Sequence, residues 1–217
     1  MRHYPVARRR SPMRVLIAAL TLSVSVALPL ALSAPAGATS PSVAAAVPGA
    51  VLRPADTPSS WYLNLTGQAQ QETNWCWAAT GNSIAAYFNY SYTQNQFCNM
   101  AFGNALNASC PNNQATLAND QTAFRQIGIS PGTYITGQVN MNTVISQIAA
   151  DEPIMTRIVW ASGGGHMMDI IGYDSSNSTI QYYDPWPSDN RLNTSTLSWY
   201  QSNSQFTWTH TLYGIGG

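Results

Sequence analysis

Gln70-Gln71-Glu72-Thr73-Asn74-Trp75-Cys76-Trp77-Ala78-Ala79 is the stretch on which the reading of this chain turns. A polar, turn-prone segment runs into an apolar one, which predicts a helix from Trp75 to about Tyr90 with Asn74 as its N-cap. Trp77, Ala78, Ile84, Ala85 and Phe88 approximate helical spacing, and Gly81 inside the run marks close packing. Cys76 falls in the first turn. There it feels the positive end of the macrodipole and unpaired N–H groups, which favour the thiolate, the nucleophilic form of the residue. Gln70 is placed to present a side-chain N–H to an oxygen that gains negative charge during attack on a carbonyl. Gln71 competes for that role. The plainer alternative is a small buried cysteine on a core helix.

The other two cysteines bear on this choice. Cys98 and Cys110 are close in sequence and flank an Asn-rich, Gly-containing stretch, which suits a local disulfide. Closing so short a loop contributes roughly 3 kcal/mol in the chain-entropy model. Cys76 is then the odd cysteine and a free thiol. A metal site is the competing reading. It lacks both a Cys-x-x-Cys pair and a histidine pair at ligand spacing.

Working outward, the N-terminus reads as a secretory signal peptide. Arg8, Arg9, Arg10 and Arg14 form a basic region, Val15 to Leu32 is apolar, and Ala36-Gly37-Ala38 is a small-residue cleavage site. The alternative, a membrane anchor, has an apolar run barely of spanning length. Residues 1–38 are the expected signal, 39–60 a linker or short pro-segment rich in Ala, Pro, Ser and Val, and 61–217 one domain. Removing the signal leaves four arginines, no lysine and nine carboxylates, a net charge of −5. Such a surface offers no basic patch for nucleic acid and no polybasic membrane contact. The expected location is outside the cell, as a monomer with no stable membrane association after signal removal.

Further helices are predicted over residues 93–102, 114–127 (closed by Gly128) and 142–150. Strands are predicted over 153–160, 166–173, 179–183 and 206–213. Helices precede strands, which implies an α+β domain with segregated halves.

A catalytic thiol needs a base, and imidazole exchanges protons near neutral pH. His3 leaves with the signal, and His210, in a strand with aromatic neighbours, reads as a half-exposed structural residue. His166 follows Gly163-Gly164-Gly165 at the entry to an apolar strand, where backbone approaches closely and a side chain can face a cleft. Asp184, at the end of a strand in Tyr182-Tyr183-Asp184-Pro185-Trp186, is the candidate to orient it. Alone, Asp184 reads more readily as an Asp-Pro turn. Asp169 is nearer in sequence, but three residues along a strand places it on the opposite face. Asp174 reads as a turn residue. Trp75, Gly164 and Gly165 flank the set as candidate substrate-binding residues.

Together these residues resemble the papain-like cysteine peptidase superfamily. The carriers are the Gln70–Cys76 separation, the Cys76-Trp77-Ala78 run, the chain order Gln, Cys, His, Asp, and the strand His166 to Tyr173 ending in Gly-Tyr. Asn-Trp-Cys-Trp-Ala-Ala and Tyr-Asp-Pro-Trp look closest to compact bacterial peptidases of the AvrRpt2 type. The resemblance implies a helical half carrying Cys76 on a central helix and an antiparallel β half carrying His166 and Asp184. It implies Gln70 as oxyanion donor and Trp186 as an aromatic cover for the His–Asp hydrogen bond. The implied substrate is a protein or peptide, and the chemistry needs no cofactor or metal. Papain itself has Asn as orienter, a longer mature domain and another disulfide pattern. Two rivals stay open: another thiol acyl-transfer enzyme, transglutaminase-like or a cell-wall amidase, and a non-enzymatic binding module.

Overall fold

The computed structural model describes residues 57–188 and 190–217; the signal-peptide reading and most of the linker reading lie outside them. The folded unit begins slightly before the expected boundary at residue 61. Strand β1 (Ser60–Tyr62) pairs with the strand that follows His166, and Tyr173 donates its hydroxyl hydrogen to Pro58 O at 2.9 Å. These tertiary bonds draw residues 58–60 out of the linker and into the domain.

Helix α1 spans Cys76–Tyr87. Nine consecutive residues, Trp77 to Ala85, are buried, so the helix is covered on every side, as small and apolar residues all round require. Gly81 is where α1 meets its neighbour: a Cβ there would lie 2.3 Å from the Phe97 ring. That neighbour is α2 (Gln94–Phe102), opened by a reciprocal capping box between Thr93 and Gln96. Helix α3 (Leu117–Ile127) ends on Gly128 at φ +90°, the left-handed C-cap that glycine adopts without penalty. The Cys98–Cys110 disulfide is present and ties α2 to the loop before α3, leaving Cys76 free.

The sheet half follows. Strand β2 (Pro131–Thr136) leads to α4 (Met141–Ala149), capped by Asn140 through Thr143 N–H at 3.0 Å. Then come β3 (Ile154–Trp160), β4 (Gly165–Asp174), β5 (Thr179–Tyr183), β6 (Leu192–Thr196), the short α5 (Leu197–Gln201) and β7 (Phe206–Ile215). The sheet runs β2-β7-β3-β4-β5-β6, with β1 on β4, and every pairing is antiparallel. Strand β4 is central, and eight of its ten residues are buried. Both α1 and α4 pack on it. The fold is therefore α+β, as expected, with an antiparallel sheet. Among the described residues no helix is long and apolar enough to cross a membrane.

The sequence reading missed β1, β2, β6 and α5. It also started three helices early, α2 by the one residue that is its N-cap, Thr93. Helix α1 begins at Cys76, not at Trp75, because Asn74 is drawn away: its backbone N–H bonds Asn112 Oδ1 at 2.8 Å and its side-chain amide donates to Asn112 O at 2.9 Å. Helix α3 begins at Leu117 rather than Gln114.

Candidate active site

Helix α1 starts without a side-chain cap. Its first intrahelical bond runs from Ala79 N–H to Trp75 O at 2.9 Å, so the N–H groups of Cys76, Trp77 and Ala78 have no intrahelical acceptor. Cys76 therefore sits at a positive helix end with its own N–H available. Thr80 closes the turn beneath it, donating to Cys76 O at 2.9 Å.

Strand β4 brings His166 to the opposite wall. His166 is buried, and its Nε2 lies 2.7 Å from Asp184 Oδ1, the one ion pair among the described residues. With Nε2 engaged by Asp184, Nδ1 is the nitrogen left for Cys76, which lines the same cleft. Burial disfavours the imidazolium. The hydrogen bond to Asp184 and the nearby Cys76 and Asp184 outweigh it and raise the His166 pKa to about 9. Asp184 Oδ1 also accepts the Trp186 backbone N–H at 2.9 Å, which fixes the carboxylate.

Two indoles hold the imidazole. Trp160 stacks on it with centroids 5.9 Å apart and planes 26° apart, and Trp186 meets it edge-on at 6.3 Å. Trp186 therefore stands where its covering role was expected, although its side chain is exposed. Trp160, at the end of β3, was expected only as a strand residue; its place shortly before the glycine turn that returns to His166 was the available signal.

Other expected residues lie elsewhere. Gln70 is buried, but its amide donates to Glu72 O at 2.9 Å and Thr73 O at 3.0 Å, and its Oε1 has no partner. Both of its N–H groups thus hold the turn before α1 instead of facing the cleft. Its backbone N–H bonds Pro185 O at 2.8 Å, linking that turn to the Asp184 loop. Trp75 is not a cleft residue: as the residue before α1 it is buried in the core, with Nε1 donating to Pro111 O. Gly164, at φ +84°, forms the turn, with its carbonyl accepting Trp160 N–H, and does not reach the cleft. Gly165 does. The cleft, about 300 Å³, is lined by Thr73, Asn74, Cys76, Gln114, Trp160, Gly165, His166, Asp184 and Trp186.

Asp169 lies on the other face of β4, as the alternation required. It is fully buried, and neither carboxylate oxygen has a hydrogen-bond partner. Asp120 on α3 is in the same state. Burial pushes both carboxyl pKa values well up, and for Asp120 the charges of Cys76 and Asp169 add to it. Asp174 was expected in a turn but is the last residue of β4, paired with Ser60 and Thr179, and its Oδ1 accepts the Ser176 N–H of the following turn at 2.9 Å. His210 is half-buried on β7 beside Thr209 and Tyr134. No set of three His, Cys, Asp or Glu side chains among the described residues is arranged to hold a metal.

A family model described as papain-like cysteine protease AvrRpt2 matches residues 59–205. Among solved structures, the chain is similar to the peptidase domain of Streptococcus ComA, a bi-functional ABC transporter involved in a quorum sensing pathway. That match has a TM-score of 0.52 and 15% identity, and covers 69% of this chain and 98% of that one. Xylellain, a cysteine protease from Xylella fastidiosa, aligns with a TM-score of 0.46 and 9% identity over 73% of this chain and 87% of its own. The first of these likenesses, at 15% identity, speaks for the fold alone. No curated protein matches the sequence significantly.

Proposed function

The chain belongs to the AvrRpt2 family of papain-like cysteine proteases, and from that premise we propose a secreted peptidase that works through Cys76, His166 and Asp184. The observation that carries this reading is His166, held at 2.7 Å by Asp184 and facing the same cleft as the free Cys76. The Cys76 thiolate attacks the scissile carbonyl carbon, and His166, charged up to about pH 9, gives its proton to the leaving amine as the C–N bond breaks. Water then enters, with neutral His166 as its base, and releases the acid and the thiol. Asp184 keeps the imidazole ring and tautomer in place throughout.

The oxyanion is proposed to form at the unpaired Cys76 N–H, where the helix N-terminus favours negative charge. Gln70 joins it by turning one amide N–H from the turn carbonyls toward the cleft when substrate is bound; catalytic contacts often tighten only then. Residues 1–38 are proposed as the export signal, and the segment from residue 39 to the start of the fold as a linker or short pro-segment.

A peptide-library digest with wild type and Cys76→Ala in parallel tests this reading. Wild type is expected to give new amino termini and the variant none. Equal cleavage by both would remove the thiol mechanism. Adding a primary amine to the digest separates the rival chemistry: transfer to the amine without hydrolysis would mark an acyl-transfer enzyme.

A further inference from the structure

The cleft at Cys76 does not end there. A narrow junction of about 40 Å³ adjoins it, sharing Asn74, Cys76, Gln114, Gly165 and His166 with the cleft and adding Trp77, Arg157 and Met167. Beyond Arg157 it opens into a second groove of about 420 Å³, between the segment leading into α3 and the sheet, walled by Asn119, Tyr134, Arg157 and His210. Arg157 lines both spaces.

Arg157 is unusual in its surroundings. It interrupts the apolar run Ile154-Met155-Thr156-Arg157-Ile158-Val159-Trp160 of β3, and it is half-buried. Its guanidinium lies across Gly165, the residue before His166, so closely that a Cβ there would stand 2.6 Å from Nη2. Glycine at 165 is thus what lets the cation reach the cleft edge. The guanidinium donates to a neutral side chain, Thr209 Oγ1, at 3.4 Å. No carboxylate pairs with it among the described residues. The lining of the junction and of the outer groove holds no Asp or Glu, and burial and then the Arg157 charge hold His210 below its ordinary pKa, neutral. A fixed, unanswered guanidinium in a substrate groove is a ready partner for a carboxylate, to which it can make two parallel hydrogen bonds.

We propose that Arg157 selects an acidic side chain, Glu or Asp, in the peptide substrate. An extended chain advances ~3.3 Å per residue, so a guanidinium sharing the junction with Cys76 meets a residue roughly one to three positions from the scissile bond. The groove continues past Arg157, so the substrate chain runs on through it, and the carboxylate comes from a side chain and not from the chain terminus. This inference rests on the peptidase reading of Cys76.

The test uses peptides capped at both ends, with Glu, Gln or Lys at each position around the cleavage site, cut by wild type, Arg157→Gln and Arg157→Glu. The readout is the ratio of kcat/KM for Glu over Gln. Wild type is expected to favour Glu about tenfold or more at one position, because charge-assisted hydrogen bonds exceed neutral ones. Arg157→Gln should bring that ratio to near one, and Arg157→Glu should favour Lys at the same position. If either variant fails to fold, wild type alone still decides, because its Glu preference must shrink as salt rises from about 50 to about 500 mM. Active wild type without a Glu preference, a preference that survives Arg157→Gln, or one that needs a free C-terminus overturns the inference and leaves the peptidase reading intact. Cleavage that Cys76→Ala matches removes the peptidase reading, and this inference with it.

Discussion

His166 and His210 occupy two reaches of one sheet, joined through β3: Ile158 pairs with His166, and Arg157 with His210. Their surroundings drive them apart. Both lose water, which disfavours the charged ring. His166 is then met by Asp184 and Cys76, and its pKa rises to about 9; His210 is met by Arg157, and its pKa falls. The same side chain thus serves as a stored proton at the cleft and as a neutral wall in the outer groove. What distinguishes them is the sign of the nearest partner, since burial acts in the same direction on both. The two aspartates of the region repeat the lesson. Asp184 is hydrogen-bonded to a cation and a backbone N–H, whereas Asp169, across β4, is buried with no partner and held toward its neutral form.

The largest break in this contrast should come from the Asp184 side. Asp184→Ala removes the group that orients His166 and sustains its charge, and kcat should fall by roughly 10²–10⁴-fold. Asp184→Asn should retain more activity, because an amide oxygen still accepts the imidazole N–H. Trp186→Ala should cost less than Asp184→Ala, by admitting water to the 2.7 Å hydrogen bond and raising the local dielectric. Steady-state kinetics on the three folded variants ranks them. A Trp186→Ala loss equal to that of Asp184→Ala would mean that packing, not the hydrogen bond, holds the ring.

The smallest effect on activity should come from Asp169→Asn, which acts on stability instead. A carboxyl whose folded pKa is raised holds its proton better in the native state than in the unfolded chain. Its contribution therefore weakens as pH rises above the ordinary carboxyl pKa of 3.8 toward the raised one. Replacing Asp169 by Asn should flatten the decline in urea midpoint as pH rises above 3.8, with kcat nearly unchanged. If Asp169→Asn proved as damaging to kcat as Asp184→Ala, the orienting carboxylate would have been misassigned.

The parts of this arrangement that could be read from sequence are those with local causes. Cys76 at a helix start, the glycine run before His166, Asp184 at a strand end and the short Cys98–Cys110 loop each carry their signal within a few residues. The missed strands are short or at sheet edges. Strand β2 opens with Pro-Gly, and β6 is Leu-Asn-Thr-Ser-Thr, so neither presents an apolar face strong enough to announce itself. A direction set by a distant partner was not legible: Trp75 turns inward to Pro111. Nor does the sequence announce that the Gln70 amide rests on the nearby turn carbonyls of Glu72 and Thr73. Arg157 offered only its oddity inside an apolar strand. Its importance depends on Gly165 and on a groove built from α3, β2 and β7 together.

The central claim is that Asp184 and Cys76 keep His166 charged at the cleft, and an NMR titration of the imidazole rings of His166 and His210 tests it most directly. The account predicts a His166 midpoint near pH 9 and a His210 midpoint below 6.5, with Asp184→Ala lowering the first and leaving the second in place. Because the proton delivered to the leaving amine is the one titrated, kcat/KM should fall as pH rises through the same midpoint near 9. A His166 midpoint at or below 6.5, or one that does not respond to Asp184→Ala, would contradict the account.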